Sequence, residues 1–591
     1  MNIIESYTEE KKKFTEKKLF LDSQLNKLSL IRFILGFGAL ILLFFAIKTS
    51  SSLIFLFALC LIVGFFTSVY FYKNKKNQLR FVKELIRLNE IEIQFLEQNH
   101  YNFENGSEFQ TPEHPYSSDI DILGENSLYQ FLNRTNTLSG KRKLAATLLN
   151  FHQKEEILER QDAIRELSQH LEWRQQFMAT CHLSKDTKQT LVEINKWQES
   201  EIEIHPIFRY LSYVLPFISG SFLVVYLITN DANYLKIFSG LFAFNLSFSS
   251  PVLKKIMSEL KFTEEIGPQF KKYSQLTELI ELQNFEANKL SELKNELKSD
   301  QKKASEKLTE LGTLFSHLEN IANLPVLIFM NGLFCFHVHQ FRRLVDWKKS
   351  NKLNLNKWID TIGDFEELNS FANFSYNNSN YVFPELSSKI SFESIHHPLL
   401  KKETAVANSI DFDEKNFTIL TGSNMSGKST FLRTIGVGMV LANSGSVVPA
   451  NKVSYNPIPL IASMRLSDSL TDATSYFYAE VKRLNLIIES LNKQAYFILL
   501  DEILRGTNSD DKLEGTIGVV KKIAVLNSFG IIATHDLKVC ELTETYPGKL
   551  INRCFEVELT NDSLHFDYTL RNGICQNKSA SFIMRKMKVI D

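Results

Sequence analysis

The sequence predicts a chain in three parts: transmembrane helices near the N-terminus, a long all-α lever or core region, and a C-terminal α/β domain. Three observations predict it. Two almost purely apolar runs lie within the first 72 residues. Residues 257–322 are charged, rich in helix formers and nearly free of Gly and Pro. From about residue 385, short β-rich runs (FTIL, YFILL, GIIAT) alternate with helical ones, the mark of an α/β sheet domain.

Composition narrows the class. The 591 residues suffice for several domains. Lys+Arg and Asp+Glu both number 67, so no global basic field points to nucleic acid. With 47 Phe against 23 Gly and 13 Pro, this is not a disordered composition. The six cysteines are scattered without a C-x-x-C pair, which fits a reducing compartment and argues against a disulfide framework or a zinc site. Cys335, with His337 and His339 close by, reads as the interior of an apolar helix rather than a metal site.

The first 30 residues carry Lys11, Lys12, Lys13, Lys17 and Lys18 and are too long and too mixed in charge for a cleaved signal peptide. The runs at 33–47 and 53–72 show no polar face. A span of hydrocarbon needs about 20 helical residues. A transmembrane hairpin over about 30–48 and 52–72 is expected, with Arg32 snorkelling at one end. Lysines precede the first run and follow the second (Lys73, Lys75, Lys76), with only Lys48 between, so both ends are expected in the cytosol. Residues 1–80 thus form the first unit, and 81–118 read as a linker. The helical region is 119–384, with a second transmembrane hairpin at about 210–228 and 235–252, flanked by Arg209, Lys254 and Lys255. Pro325 to His339 is also apolar but short and carries two histidines, so a buried soluble helix is expected there. Residues 385–591 form the α/β domain.

The segment Gly422-Ser423-Asn424-Met425-Ser426-Gly427-Lys428-Ser429 matches G-x-x-x-x-G-K-[ST] in full, after an apolar strand and before a helical stretch opening at Thr430. Glycines let backbone N–H groups wrap phosphates, and the helix N-terminus adds its dipole. Lys428 is expected on the β- and γ-phosphates of ATP, and the Ser429 hydroxyl on Mg2+. The later strand FILLDE ends in Asp501, expected in the Mg2+ shell, and Glu502, expected to orient or deprotonate the attacking water. A third strand, GIIATH, ends in His535, placed to sense the γ-phosphate.

These motifs, in order, resemble the ATPase domain of the MutS family: TGSNMSGKSTFLR, LANSGSVVPA (441–450), YFYAEVKRL (476–484), LLDEILRGTNSDD (499–511) and ATHDL (533–537). The family usually has proline where Ser423 stands. Upstream, DILGENSLYQFLNRTNTLSGKRKLAATLLN (121–150), IGDFEELNSFANFSYNNSNYVFPEL (362–386) and SIHHPLL (394–400) are similar to the family's helical core and to the entry of its ATPase, so the resemblance covers roughly residues 120–580. It implies an ABC-type P-loop ATPase that is a homodimer, with Arg505, Gly506, Thr507 and Ser475 at the dimer interface, ATP and Mg2+ as cofactors, and DNA as partner. The family's adenine-stacking aromatic is expected shortly before Asn408, where KKETAVAN has none. The mismatch-reading and connector domains of the repair members have no counterpart, since the membrane hairpin and linker occupy residues 1–110, and Phe103-Glu104 takes no wedge role. DNA-contacting candidates are Lys141, Arg142, Lys143 and the lysines of 287–307.

Transport by an ABC exporter is disfavoured, because no LSGGQ-like segment precedes Phe497. The expectation is a multi-pass protein of a bacterial inner membrane with its ATPase domain in the cytoplasm, gripping mismatched or structured DNA as a dimeric clamp. The alternative is an ATP-driven, membrane-bound conformational switch or scaffold without mismatch repair activity.

Overall fold

The computed structural model describes residues 3–98, 102–183, 187–201, 203–260, 266–298, 302–401, 403–412, 417–464, 476–526, 528–560 and 563–576. The chain opens with a long helical hairpin. Helices α1 (Ile3–Thr49) and α2 (Ser52–Gln98) have 47 residues each, about 70 Å at 1.5 Å per residue. Neither contains proline, and a tight turn at Ser50 (φ 47°) joins them.

The hairpin has two halves with opposite polarity rules. In the charged half, Phe14, Leu21 and Leu25 of α1 and Leu79, Val82 and Leu85 of α2 are buried together with Ala179. This is the narrow apolar stripe of a helix packed in water. In the apolar half, Phe33, Phe37, Phe44, Phe57 and Phe66 all face outward. There the helices touch through small residues, with Gly36 against Phe65 and Gly38 against Leu61. The Arg32 guanidinium lies 4.3 Å from the centre of the Tyr72 ring where the two halves meet.

Residues 81–118, expected as a linker, are structural. The stretch to Gln98 is the continuation of α2. Its apolar positions recur at helical spacing among charges, which hid them in a polar-looking run. The following strap buries Tyr116, Ile120, Ile122 and Leu123. It also clasps the edge of the α/β domain: Asp119 Oδ1 accepts from the Met464 N–H (2.7 Å), and the Ala462 N–H donates to the Pro115 carbonyl (2.9 Å). Phe103 lies under the Arg134 guanidinium and Glu104 pairs with Lys141.

The charged run 257–322, expected as a long lever or partly coiled helix, contains the separate helices Ile266–Leu282, Asn288–Glu296 and Ala304–Glu319. The first break is held by Glu166, whose carboxylate accepts from the N–H groups of Glu286 (3.0 Å) and Ala287 (2.7 Å). Their leucines (Leu290, Leu293, Leu308, Leu311) turn inward. The long element of the core is instead the 42-residue helix Phe336–Asn377.

Three described helices are long and apolar enough to cross a membrane: α1, α2 and Pro206–Thr229. Ala232–Leu260, expected as the partner span, falls short in apolar content because it carries Lys236, Asn245 and several serines. The segment Pro325 to His339, expected as one buried soluble helix, is split at Cys335: Cys335, His337 and Val338 are buried, but the helix Leu324–Phe334 before them is largely not. Leu324, Phe329 and Phe334 are each more than half exposed, and the helix ends in an 85° bend at Cys335 (φ 47°). His337 and His339 follow the bend, within reach of Asn331 and of the Ser212 carbonyl.

The C-terminal part is mixed α/β. Its main sheet has six strands in the spatial order Leu570–Asn572, Leu550–Phe555, Phe417–Gly422, Phe529–Thr534, Phe497–Asp501, Leu460–Ser463. All pair in parallel except Leu570–Asn572. A four-stranded sheet (Glu385–Leu386, Lys452–Tyr455, Ile390–Ile395, Asn408–Phe412) lies beside it in sequence. The LANSG segment explains itself by docking. Gly445 (φ 69°) sits so close to the helix Lys154–Gln169 that a Cβ there would lie 2.7 Å from Arg160 Cβ. Arg160 Nε donates to the Ser444 carbonyl (2.7 Å) while its guanidinium pairs with buried Glu367 of the 42-residue helix.

Glu92 of α2 is buried, with Arg134 at 2.5 Å and amide groups of Asn373 (3.1 Å) and Asn377 (2.9 Å) donating to it. Burial alone would raise its pKa, but the Arg134 guanidinium together with the Asn377 and Asn373 amides outweighs that and holds the carboxyl below its ordinary value. Removing one partner strands the other charge in the core. Arg134→Met is expected to lower folding stability by about 3–5 kcal/mol, read as a shift of the denaturant midpoint of the full chain in detergent.

Candidate nucleotide site

The parallel register sets the site. Thr421 lies opposite Thr534, and Ala533 opposite Asp501, so the carboxyl ends of three strands finish at one edge. Gly422, His535, Asp501 and Glu502 follow at that edge, where ligands of open parallel sheets bind.

The glycine-rich loop passes through Met425 (φ 69°) and Gly427 (φ 98°) into the helix Lys428–Asn443. Buried Lys428 donates to the carbonyls of Gly422 (2.9 Å) and Ser423 (3.0 Å) and lies 3.4 Å from His535 Nε2. Burial pulls its pKa below the usual lysine value, against the pull of Glu502 and Asp501. Asn424, Met425 and Thr430 form the exposed rim.

The Ser429 hydroxyl donates to Asp501 Oδ2 at 2.5 Å. Asp501 Oδ1, Ser423 Oγ and Ser426 Oγ are buried without a hydrogen-bond partner. An unsatisfied buried carboxylate oxygen beside a serine hydroxyl is the hard oxygen donor pair that Mg2+ takes from proteins, which leave the rest of its shell to water and phosphate. The residues fit the ion.

Glu502 stands in the left-handed region (φ 47°), and Leu504 repeats it (φ 61°). Such backbone costs about 1–3 kcal/mol per residue and needs support. Buried Glu480 supplies it: its carboxylate accepts from the N–H groups of Leu504 (2.6 Å) and Arg505 (3.0 Å). Sequence reasoning noted the run around Glu480 but assigned that residue no role, because its partners are backbone groups on a distant turn. Glu502 Oε1 meets His535 Nε2 at 2.6 Å. That hydrogen bond, helped by the charges of His535, Arg505 and Lys428 and opposed by burial, brings the carboxyl down to about 2.

A cavity of about 460 Å3 opens between the loop and Ile395, His397, Leu400, Val406 and Tyr568. An aromatic ring does line this cavity, from far along the chain. A Cβ on Gly427 would touch the Tyr568 ring at 3.0 Å, so the ring lies on the loop. Asn408 itself fixes it, donating to the Tyr568 carbonyl (2.9 Å) and accepting from the Leu570 N–H (2.7 Å). A long-range tether of this kind leaves no local sequence signal.

Among the residues expected at a dimer interface, Gly506 and Thr507 are not buried, and Arg505 folds back to donate to the carbonyls of Glu502 (2.9 Å) and Asp501 (3.2 Å). Ser475 lies outside the described residues. Several DNA-contacting candidates have internal partners: Lys141 with Glu104 (2.6 Å), Lys143 with Asp364 (2.8 Å), Lys294 with the Gln283 carbonyl (2.6 Å) and Lys307 with Asn351 (2.9 Å).

Two outcomes are expected. Glu480→Ala leaves two N–H groups unpaired at about 1–3 kcal/mol each and lowers the melting temperature, while Glu480→Gln, which keeps one acceptor, lowers it less. Glu502 has a depressed folded-state value, so its pairing stabilises above the ordinary value of 4.5 and is lost as pH falls toward about 2. In His535→Ala that acid-side loss shrinks, as measured by thermal melts between pH 3 and 7.

Comparison with known proteins agrees with this geometry. Residues 418–589 match the family model for MutS domain V. The human MutS protein homolog 4 is 32% identical over 236 residues, 38% of this chain and 25% of that protein. The DNA mismatch repair protein MutS of Thermotoga maritima is 29% identical over 241 residues, 40% of this chain and 30% of that protein. The protein of the same name from Finegoldia magna is 30% identical over 233 residues, 38% of this chain and 27% of that protein. The chain thus spans only a quarter to a third of the length of these relatives. Through residues 418–589, which build this cavity, the chain carries a match to MutS domain V and is similar to the MutS family.

Proposed function

We propose that the chain is a membrane-anchored ATPase that binds ATP with Mg2+, pairs with a second copy, and uses closure of the pair to grip mismatched or structured DNA. One observation carries the enzymatic part: Lys428, the Ser429–Asp501 pair and the Glu502–His535 pair converge on one cavity with Tyr568 on its wall. The dimer and the DNA come from likeness to proteins named for DNA mismatch repair.

In this reading Lys428 leaves its backbone carbonyls for phosphate oxygens, a charge-assisted exchange. Ser429 and Asp501 hold Mg2+, which would neutralise phosphate charge. Tyr568 offers its ring to the adenine. Glu502 is ionised and anchored by His535. A carboxylate with so low a pKa is a weak base, so it acts chiefly by orienting water for in-line attack. The loop at Gly506 and Thr507 meets the partner copy. The α1–α2 hairpin, apolar on all sides in its outer half, crosses the membrane with both ends in the cytosol.

The internal pairing of Lys141 and Lys143 favours a second reading, an ATP-driven switch at the membrane without mismatch repair, since DNA binding needs lysines free to neutralise phosphates.

The test is ATP turnover by the detergent-solubilised full chain, with and without linear, mismatched and branched DNA. Lys428→Ala and Glu502→Gln are each expected to lower turnover on the order of a hundredfold or more. Stimulation by one DNA form supports the clamp. Turnover indifferent to every DNA supports the switch. A wild-type chain without turnover sinks the enzymatic proposal.

A further inference from the structure

The apolar group formed by the helices Pro206–Thr229, Ala232–Leu260 and Leu324–Phe334 is built inside out. Among the described residues of these helices, from Ser212 to Ser249 and from Leu324 to Phe334, those that are buried are Ser212, Ser219, Asn245, Ser249, Asn331 and Gly332. The exposed ones include Phe217, Val224, Leu227, Phe244, Leu324, Phe329 and Phe334. Water would select the reverse arrangement. Hydrocarbon selects this one, because small and hydrogen-bonding residues hold helices together where apolar contact gives no advantage over lipid.

Helix Leu324–Phe334 belongs to this group by contact. Asn245 Nδ2 donates to the Gly332 carbonyl (2.8 Å) and to Ser219 Oγ (3.2 Å). This satisfies a carbonyl near the C-terminal end of a helix, which lipid could not do. Phe242 packs so closely on Gly332 that a Cβ there would lie 2.3 Å from its ring. Across the bend, Asn331 Oδ1 accepts from the His337 N–H (3.1 Å), and the Asn331 amide lies 2.8 Å from His337 Nδ1.

The flanks decide the topology. The helix Ala304–Glu319 and the start of Phe336–Asn377 lie side by side in opposite directions. Arg343 pairs with Glu310 at 3.0 Å, Gln340 lies 3.3 Å from His317, and Trp347 Nε1 donates to the Lys307 carbonyl at 3.0 Å. The chain therefore leaves the helical core at Glu319 and rejoins it at Phe336 on the same side. The 11 residues between Leu324 and Phe334 reach only about 16 Å, half of a hydrocarbon core of about 30 Å.

We propose that residues 320–336 are a re-entrant membrane element. It enters one leaflet from the cytosolic side, seats on the helices Pro206–Thr229 and Ala232–Leu260, presents Leu324, Phe329 and Phe334 to acyl chains, and returns. The bilayer is thereby a direct partner of the 42-residue helix, whose first residues form the elbow. This rests on the membrane reading above.

The test is cysteine labelling of the full chain in inside-out and right-side-out membrane vesicles with an impermeant maleimide. Cys60, exposed near the middle of the apolar half of α2, reports on the hairpin in the native sequence. In a Cys60→Ala background, whose five other cysteines are buried and serve as the labelling blank, one cysteine at a time replaces Asn320, Phe329 or Lys349. Expected is labelling of Asn320→Cys and Lys349→Cys from the cytosolic face only, with loss of Phe329→Cys labelling from both faces until detergent is added. Phe329→Cys labelling in intact vesicles of either orientation, with Cys60 protected, overturns the re-entrant element and leaves the hairpin standing. Free labelling of Cys60 as well overturns the membrane reading itself.

Discussion

The carboxylate of Glu92 is the contact on which the arrangement of the parts depends. It sits in the core near the end of α2, clamped by Arg134 and by Asn373 and Asn377 of the last turns of the 42-residue helix. Asn377 in turn accepts from Tyr7 of α1 at 2.8 Å. One buried charge thus ties both legs of the hairpin to the end of the helix that feeds the α/β domain at Glu385. Burying such a charge costs several kcal/mol unless every lone pair is met. The surrounding amides and guanidinium meet them, and an arrangement satisfied in only one geometry also fixes the angle at which the hairpin leaves the core.

The 42-residue helix then carries that geometry along the molecule. Toward its C-terminal end, Glu367 holds Arg160, which grips the carbonyl of Ser444 just beyond the helix that begins at Lys428. At the other end lies the elbow at Cys335. The glycine-rich loop and the exposed apolar group are therefore linked through the helix Lys428–Asn443, Arg160 and the 42-residue helix.

At the cavity itself the backbone is held in a conformation it would not choose. Glu502 and Leu504 both have positive φ, and neither is glycine. Glu480 holds the turn from below and His535 holds the Glu502 side chain from above. Strain retained by two independent acceptor contacts is what keeps a carboxylate aimed at one point while the loop beyond it, Arg505 to Thr507, stays at the surface.

The sequence by itself determined the elements whose signal is local. The loop Gly422–Ser429 and the strand ends at Asp501 and His535 are legible because backbone wrapping and phosphate chemistry require those residue types in a short window. The hairpin is legible because a helix apolar on every face has no place in a soluble core. Only the tertiary structure decided what depends on distant partners. Residues 81–118 read as a linker because the groups that bury them belong to other elements. Glu480 had no visible purpose without the backbone of Leu504 and Arg505, and Tyr568 none without Asn408. Lys141 and Lys143 looked available until Glu104 and Asp364 were placed beside them. The segment around Phe329 shows the limit most clearly. Fifteen or so apolar residues are compatible with a buried helix and with an exposed one alike, and only the positions of Asn245, Gly332 and the two flanking helices turn Leu324, Phe329 and Phe334 outward.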